Sequence, residues 1–166
     1  NVQDKKDHFF SLLYPIVESE NQHISRLRAS LVLLAEKAHS QLSEQELDWL
    51  GRLAKQYKVK QDKHEQRIQA LLNKVDTIPS SLVLAQAAIE SGWGSSRFAR
   101  QGNNLFGQWC FKKGCGIVPQ QRQDDRHHEV ASFKTVNASV RAYLQNLNSF
   151  PAYSELRQIR SREKSD

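Results

Sequence analysis

The sequence predicts a mainly α protein whose second half also carries a small β-hairpin, making that half α+β. Three observations carry this. Residues 1–75 repeat apolar side chains at steps of three and four, the spacing of a helix face. Residues 80–91 form a run of small and apolar residues that stops at Gly92-Trp93-Gly94. Two short segments, 117–121 and 128–133, flank a polar stretch and read as paired strands. The expected organisation is an N-terminal helical extension, 1–75, followed by an α+β domain, 76–166.

The elements follow in order. Phe9, Phe10, Leu12, Leu13 and Ile16 make one apolar cluster, with Pro15 breaking or kinking the path. Ile24, Leu27, Leu31, Leu34 and Ala38 define a second helical face. Ser43 and Glu46 have the spacing of a capping box, and Leu47, Leu50 and Leu53 follow it at helical intervals. The basic stretch Lys58–Lys63 separates this helix from one carrying Ile68, Leu71, Leu72 and Val75. The polar residues of 1–75 read as solvated faces and offer no chemistry.

Pro79-Ser80-Ser81 opens the helix that ends near Glu90. A basic turn, 95–100, leads into Gly102-Asn103-Asn104-Leu105-Phe106-Gly107-Gln108-Trp109, rich in turn formers and aromatics. The hairpin comes next, with its turn at 123–126. Thr135 or Asn137 caps a further helix carrying Val140, Tyr143, Leu144 and Leu147. Phe150-Pro151-Ala152-Tyr153 interrupts the chain, and a last helix starts near Ser154 before a charged tail.

The chain of 166 residues has a formal charge of +6, unevenly distributed: +1 over 1–76 and +5 over 77–166. Such a surface favours an anionic polymer as partner. Nucleic acid is the weakest of the polymer readings, because no recognition helix or aromatic RNA-binding motif is present. No apolar run approaches the length of a membrane span. The sequence lacks methionine and so begins at a processed or cut end. The lack of a visible export signal therefore carries no weight against export. Cys110 and Cys115 are separated by four residues, with Gly114 and Gly116 allowing a turn. A disulfide is the favoured reading and implies an oxidising compartment. Two free thiols are the other reading. A metal site is disfavoured, since His127 and His128 do not complete a four-ligand set. No cofactor is indicated.

Glu90 is the strongest candidate for chemistry. A stripe of Leu82, Ala85 and Ile89 is expected to face the core, with Glu90 beside it. The carboxyl would lose water on one side and lie at the negative end of the helix dipole. Trp93 would add an apolar wall. Each effect favours a carboxyl that holds its proton, which is what cleavage of a glycosidic bond requires.

Several spaced motifs then agree. They are Ala87-Ala88-Ile89-Glu90-Ser91-Gly92-Trp93-Gly94, Asn103-Asn104-Leu105-Phe106-Gly107, Val130-Ala131-Ser132-Phe133, Ala142-Tyr143-Leu144 and Pro151-Ala152-Tyr153. In this order they resemble the bacterial glucosaminidase domain, a peptidoglycan-hydrolase family with a lysozyme-like fold. The resemblance spans about 79–160 and is nearest the Bax-type branch, through the Cys110/Cys115 segment and His128-Glu129-Val130. Residues 1–75 match only as a generic helical leader.

The resemblance implies hydrolysis of the glycan strand after N-acetylglucosamine, where it is joined β-1,4 to N-acetylmuramic acid. It makes Glu90 the general acid. The second catalytic group would come from the hairpin, which offers Asp124, Asp125 and Glu129. The two aspartates suit turn chemistry alone, so Glu129 is expected to fill the role. Substrate contacts are expected from Ser91, Asn103, Asn104, Phe106, Trp109, Tyr143 and Tyr153. Phe106 and Trp109 can equally be core residues, and for Tyr143, with apolar neighbours at 140, 144 and 147, a core role is the favoured reading. A peptidoglycan partner, an exported monomer and a periplasmic or cell-envelope location follow. Members of the family usually continue with further helices, so a truncated C-terminus is expected. A glycan-binding module that does not cut is the alternative reading.

Overall fold

The computed structural model describes residues 1–121 and 126–164. The expected turn at 123–126, with Asp124 and Asp125, thus lies almost wholly outside the described residues. Seven helices are described: α1 (Val2–Ala35), α2 (Glu44–Gln56), α3 (His64–Lys74), α4 (Ser80–Ser91), α5 (Arg97–Gly102), α6 (Val136–Ser149) and α7 (Ser154–Glu163). Three short strands accompany them: β1 (Trp109–Cys110), β2 (Gly116–Ile117) and β3 (Glu129–Ala131). The mainly α class is as expected.

The chain forms two compact units, Asn1–Glu20 with Ile78–Tyr143, and Asn21–Thr77 with Leu144–Asp166. The expected division at 75/76 is therefore not the division of the contacts. Helices α1 and α6 each supply residues to both units, a pattern that helical periodicity does not reveal.

In the first unit, α1 runs through Pro15 without ending. The proline removes one N–H from the helical ladder. The buried face of Phe9, Leu13 and Val17 offsets that loss, because packing rather than propensity holds most protein helices together. Helix α4 corrects a second expectation. Leu82 and Ile89 are exposed (37% and 73%), and so is Ala85. The buried face is Val83, Ala87, Ala88 and Ser91. At about 100° per residue these lie on the opposite side of the helix from the expected stripe. Val83 and the alanines fill the buried side, and Leu82 and Ile89 point outward.

The sheet has the order β1-β3-β2, all antiparallel. Register pairs Trp109 with Val130 and Cys110 with Glu129 on one side of β3, and Gly116 with Ala131 and Ile117 with Val130 on the other. The expected strands are shorter than predicted, and β1 was hidden within the aromatic turn-rich stretch. A side chain at Gly116 would run into the Val130 carbonyl, so only glycine permits this pairing.

In the second unit the capping box forms as expected. Ser43 Oγ accepts from Glu46 N–H and Glu46 Oε2 accepts from Ser43 N–H. Buried Asp76 receives Lys164 Nζ at 2.6 and 2.7 Å, with Arg28 and Arg160 within 4 Å. Tyr57 is fully enclosed, and burial pushes its hydroxyl up to about 12.

Candidate active site around Glu90

Helix α4 ends in a knot that fixes where Glu90 points. Gly92, Trp93 and Gly94 all take left-handed backbone conformations, with φ of +55°, +59° and +77°. Ser91, fully buried, donates its hydroxyl to Ala87 O at 2.6 Å and accepts from Gly94 N–H at 2.8 Å. The Ser91 oxygen thus closes the helix end.

Trp93 is a bulky residue at positive φ, a conformation that costs roughly 1–2 kcal/mol. Its ring packs edge-on against Phe9 and Phe10 of α1, with centroids at 5.9 and 5.4 Å, and Lys6 Nζ stands 4.9 Å from the ring centre. These contacts hold the strained turn. They also show that the tryptophan is spent on α1, where it had been expected to wall Glu90.

The Glu90 side chain is exposed and has no hydrogen-bond or ion-pair partner among the described residues. The expected desolvation by the Leu82/Ala85/Ile89 stripe does not occur, because that stripe faces water. One neighbour is close. A Cβ built on Gly107 would stand 3.3 Å from Glu90 Oε2. Gly107 has φ +62°, so the position needs glycine for its backbone as well as for the space beside the carboxylate. The spacing of Phe106-Gly107 marked a turn, and nothing in the sequence indicated that this glycine meets Glu90.

The loop 104–108 is held by Asn104, which is 2% exposed. Its Nδ2 donates to Gln108 O and Ala131 O, both at 2.9 Å. Its Oδ1 accepts from Phe106 N–H at 3.2 Å and Gln108 N–H at 3.1 Å. The amide is thus engaged at both its oxygen and its nitrogen by the backbone of its own loop and of β3. Buried Ser139 on α6 ties the same loop through Leu105 N–H and the Gln108 side chain. Asn103 caps α5 at φ +50° and donates Nδ2 to Phe133 O at 2.9 Å. Phe106 is buried and stacks on half-buried Tyr143, with ring centroids 4.0 Å apart and planes 4° from parallel. That stack is packing, the second of the two roles open to these rings. Tyr153 belongs to the other compact unit.

Glu129 is 5% exposed. Its two oxygens accept the N–H groups of Gly114 and Gly116 at 3.0 and 2.8 Å. The disulfide Cys110–Cys115 is present, with Cα atoms 6.2 Å apart. A carboxylate held by backbone N–H groups at both oxygens fastens the disulfide loop. Cys110, Cys115 and Glu129 do come together, but the sulfurs are already bonded to each other. Trp109 is 56% exposed, and its ring stacks on His128 at 4.2 Å. Replacing both cysteines by serine is expected to cost about 2 kcal/mol, the closure entropy of so small a loop. Thermal unfolding should register this as a fall of about 4–8 °C.

The chain is a member of the glucosaminidase family: residues 65–165 match the family described as mannosyl-glycoprotein endo-beta-N-acetylglucosaminidase. It is similar to Protein bax of Escherichia coli (strain K12), 38% identical over 159 residues, which are 95% of this chain and 56% of that protein. It is also similar to the exo-glucosaminidase LytG of Bacillus subtilis (strain 168), 32% identical over 88 residues, 53% of this chain and 29% of that protein. The chain thus spans about half the length of the first relative and under a third of the second. No solved structure matches it. The likeness is wider than the 79–160 expected, and 1–75 is more than a generic leader, since the match to Protein bax takes in nearly the whole chain.

Proposed function

We propose that the chain hydrolyses the β-1,4 bond after N-acetylglucosamine in peptidoglycan strands, with Glu90 as the general acid. The observation that carries this is the exposed carboxyl of Glu90 beside Gly107, without a hydrogen-bond or ion-pair partner among the described residues. An acid that must reach a polymer has to be open to solvent before the polymer arrives. The glycan itself then removes water from the carboxyl when it binds. Membership of the glucosaminidase family supports the substrate class, and the disulfide supports an exported, periplasmic or envelope location. No helix among the described residues is long and apolar enough to cross a membrane.

Glu129 fastens the disulfide loop in this reading and does not act as base or nucleophile. The second half of the reaction falls to Asp124 or Asp125, which lie outside the described residues, or to the 2-acetamido group of the substrate. Cleavage is taken as internal to the strand, following the family description; the name of LytG specifies the opposite mode. Digestion of purified sacculi tests this. Borohydride reduction of the products followed by mass spectrometry should find reduced glucosamine at the new ends. Turbidity should fall before small fragments accumulate. Reduced muramic acid ends would overturn the bond assignment, and slow release of small sugars at constant turbidity would overturn the internal mode.

Gly107 offers a further check. Gly107→Ala forces a left-handed alanine, at roughly 1–2 kcal/mol, and places a methyl against Glu90 Oε2. Turnover on sacculi is expected to fall at least about tenfold, since small displacements of a catalytic group have large effects. Gly107→Asn tolerates the backbone better. It should lose as much activity with a smaller fall in melting temperature, separating crowding from strain.

A further inference from the structure

The geometry points to the disulfide-closed loop 109–115 as a grip for carboxylates carried on the glycan, next to the bond that is cut. The inference rests on the proposed role of Glu90. Trp109 and Phe111 are 56% and 76% exposed, and Lys112 and Lys113 are exposed beside them. Two exposed rings and two ammonium groups gathered in one short cross-linked loop make an amphipathic surface suited to a ligand with both apolar faces and negative charge.

The loop is fastened at every turn. Cys110 and Cys115 are cross-linked. Cys115 N–H donates to Lys112 O at 3.0 Å, and Ser132 N–H to Cys115 O at 3.2 Å. Glu129 takes the N–H groups of Gly114 and Gly116, and Trp109 rests on His128. Two aromatic rings and two ammonium groups are therefore presented from a backbone already ordered, which lowers the entropy cost of binding.

Position decides the partner. Gly107 lies against the Glu90 carboxylate. A chain advances at most about 3.6 Å per residue, so the Cα atoms of Trp109 and Phe111 lie within about 7 and 14 Å of Gly107 Cα. This is the reach of sugar units flanking the cleaved bond on the same strand. Rings stack on the apolar faces of pyranoses, and the lysines meet carboxylates. A neutral polymer of N-acetylglucosamine has no carboxylates, whereas a muramic strand bears acidic peptide stems. The +5 charge of residues 77–166 adds long-range attraction of the same sign. A lipid surface would accept the same side chains, but nothing ties a lipid surface to the neighbourhood of the acid.

The test uses the Glu90→Gln chain as a binding form. Its affinity is measured for intact sacculi and for the same sacculi whose carboxyl groups have been converted to neutral methylamides with a carbodiimide and excess methylamine. The parent loop should prefer intact sacculi by about tenfold or more, as two desolvated charge pairs would give. Lys112→Glu/Lys113→Glu should abolish that preference, and Phe111→Ala should weaken binding to both forms. Unchanged melting temperatures would show that the variants fold. An equal affinity of the parent loop for both sacculi overturns the inference, as does a preference that survives the double lysine variant. Loss of sedimentation with phosphatidylglycerol–phosphatidylethanolamine vesicles, with sacculus binding intact, also overturns it and assigns the loop to lipid. Fragments released by the Glu90→Gln chain would instead count against the proposed function, so the two failures are distinguishable.

Discussion

Glu90→Gln is expected to abolish release of fragments from purified sacculi, with a loss of about 10²–10⁴ in kcat/KM. The amide has the shape of the acid but no proton to give to the leaving oxygen. The fold should be untouched. Glu90 is exposed and bonded to no described residue, so no buried group is orphaned by the change. The sign of the small stability effect is itself informative. Glu90 stands in the last turn of α4, where the helix dipole disfavours a negative charge. Removing that charge should leave the melting temperature unchanged or raise it slightly, by roughly 1–3 °C for an effect of about 0.3–1 kcal/mol. Loss of activity with a small gain in stability is the signature of a functional carboxyl placed against the preference of its helix. A variant that clears sacculi at the parent rate would remove Glu90 from the mechanism.

Much of this was legible in the residues, and the failures have physical causes. The capping box at Ser43 and Glu46 forms as its spacing indicates, because local hydrogen bonds depend on local sequence. Of the two caps offered for α6, Thr135 is the one used, its hydroxyl accepting from Ala138 N–H at 3.1 Å. The helix end at Gly92 was equally plain, since left-handed residues stop helices. The face of α4 was misread because two registers of a small, apolar helix look alike in sequence. Alanine contributes little to either stripe, and which side is buried is a tertiary property. Glu129 and Asn104 were both read as facing the ligand. Polar residue types signal that a hydrogen bond exists and not which side supplies the partner. At 5% and 2% exposure both side chains bond backbone. The strand β1 escaped because a two-residue strand has no periodicity to detect.

Asn104→Ala is expected to cost about 3–5 kcal/mol, the largest stability effect of any single site residue. The four bonds of its amide end on Phe106 N–H, Gln108 N–H, Gln108 O and Ala131 O. Truncation orphans polar backbone groups in a part of the chain where Leu105, Phe106 and Val130 are buried. Each orphaned group costs roughly 1–3 kcal/mol where water cannot replace the lost partner. Half-buried Gln108 recovers some hydration, which holds the sum below the full count. Thermal unfolding should register a fall of about 6–20 °C. Asn104→Asp separates the two halves of the amide. It retains acceptors for the two N–H groups but turns a carboxylate oxygen toward two carbonyls, so it should not rescue the fold. Had the side chain faced a glycan, truncation would raise KM and leave the melting temperature within about 1 °C, and that result would sink the structural assignment. The same measurement reaches the chemistry, because the loop that Asn104 fixes carries Gly107 to the Glu90 carboxylate. Below its lowered melting temperature the variant should bind sacculi with near-parent affinity and turn them over slowly. A fall confined to kcat follows from a wall that has lost its position beside the acid while the exposed loop 109–115 still meets the polymer.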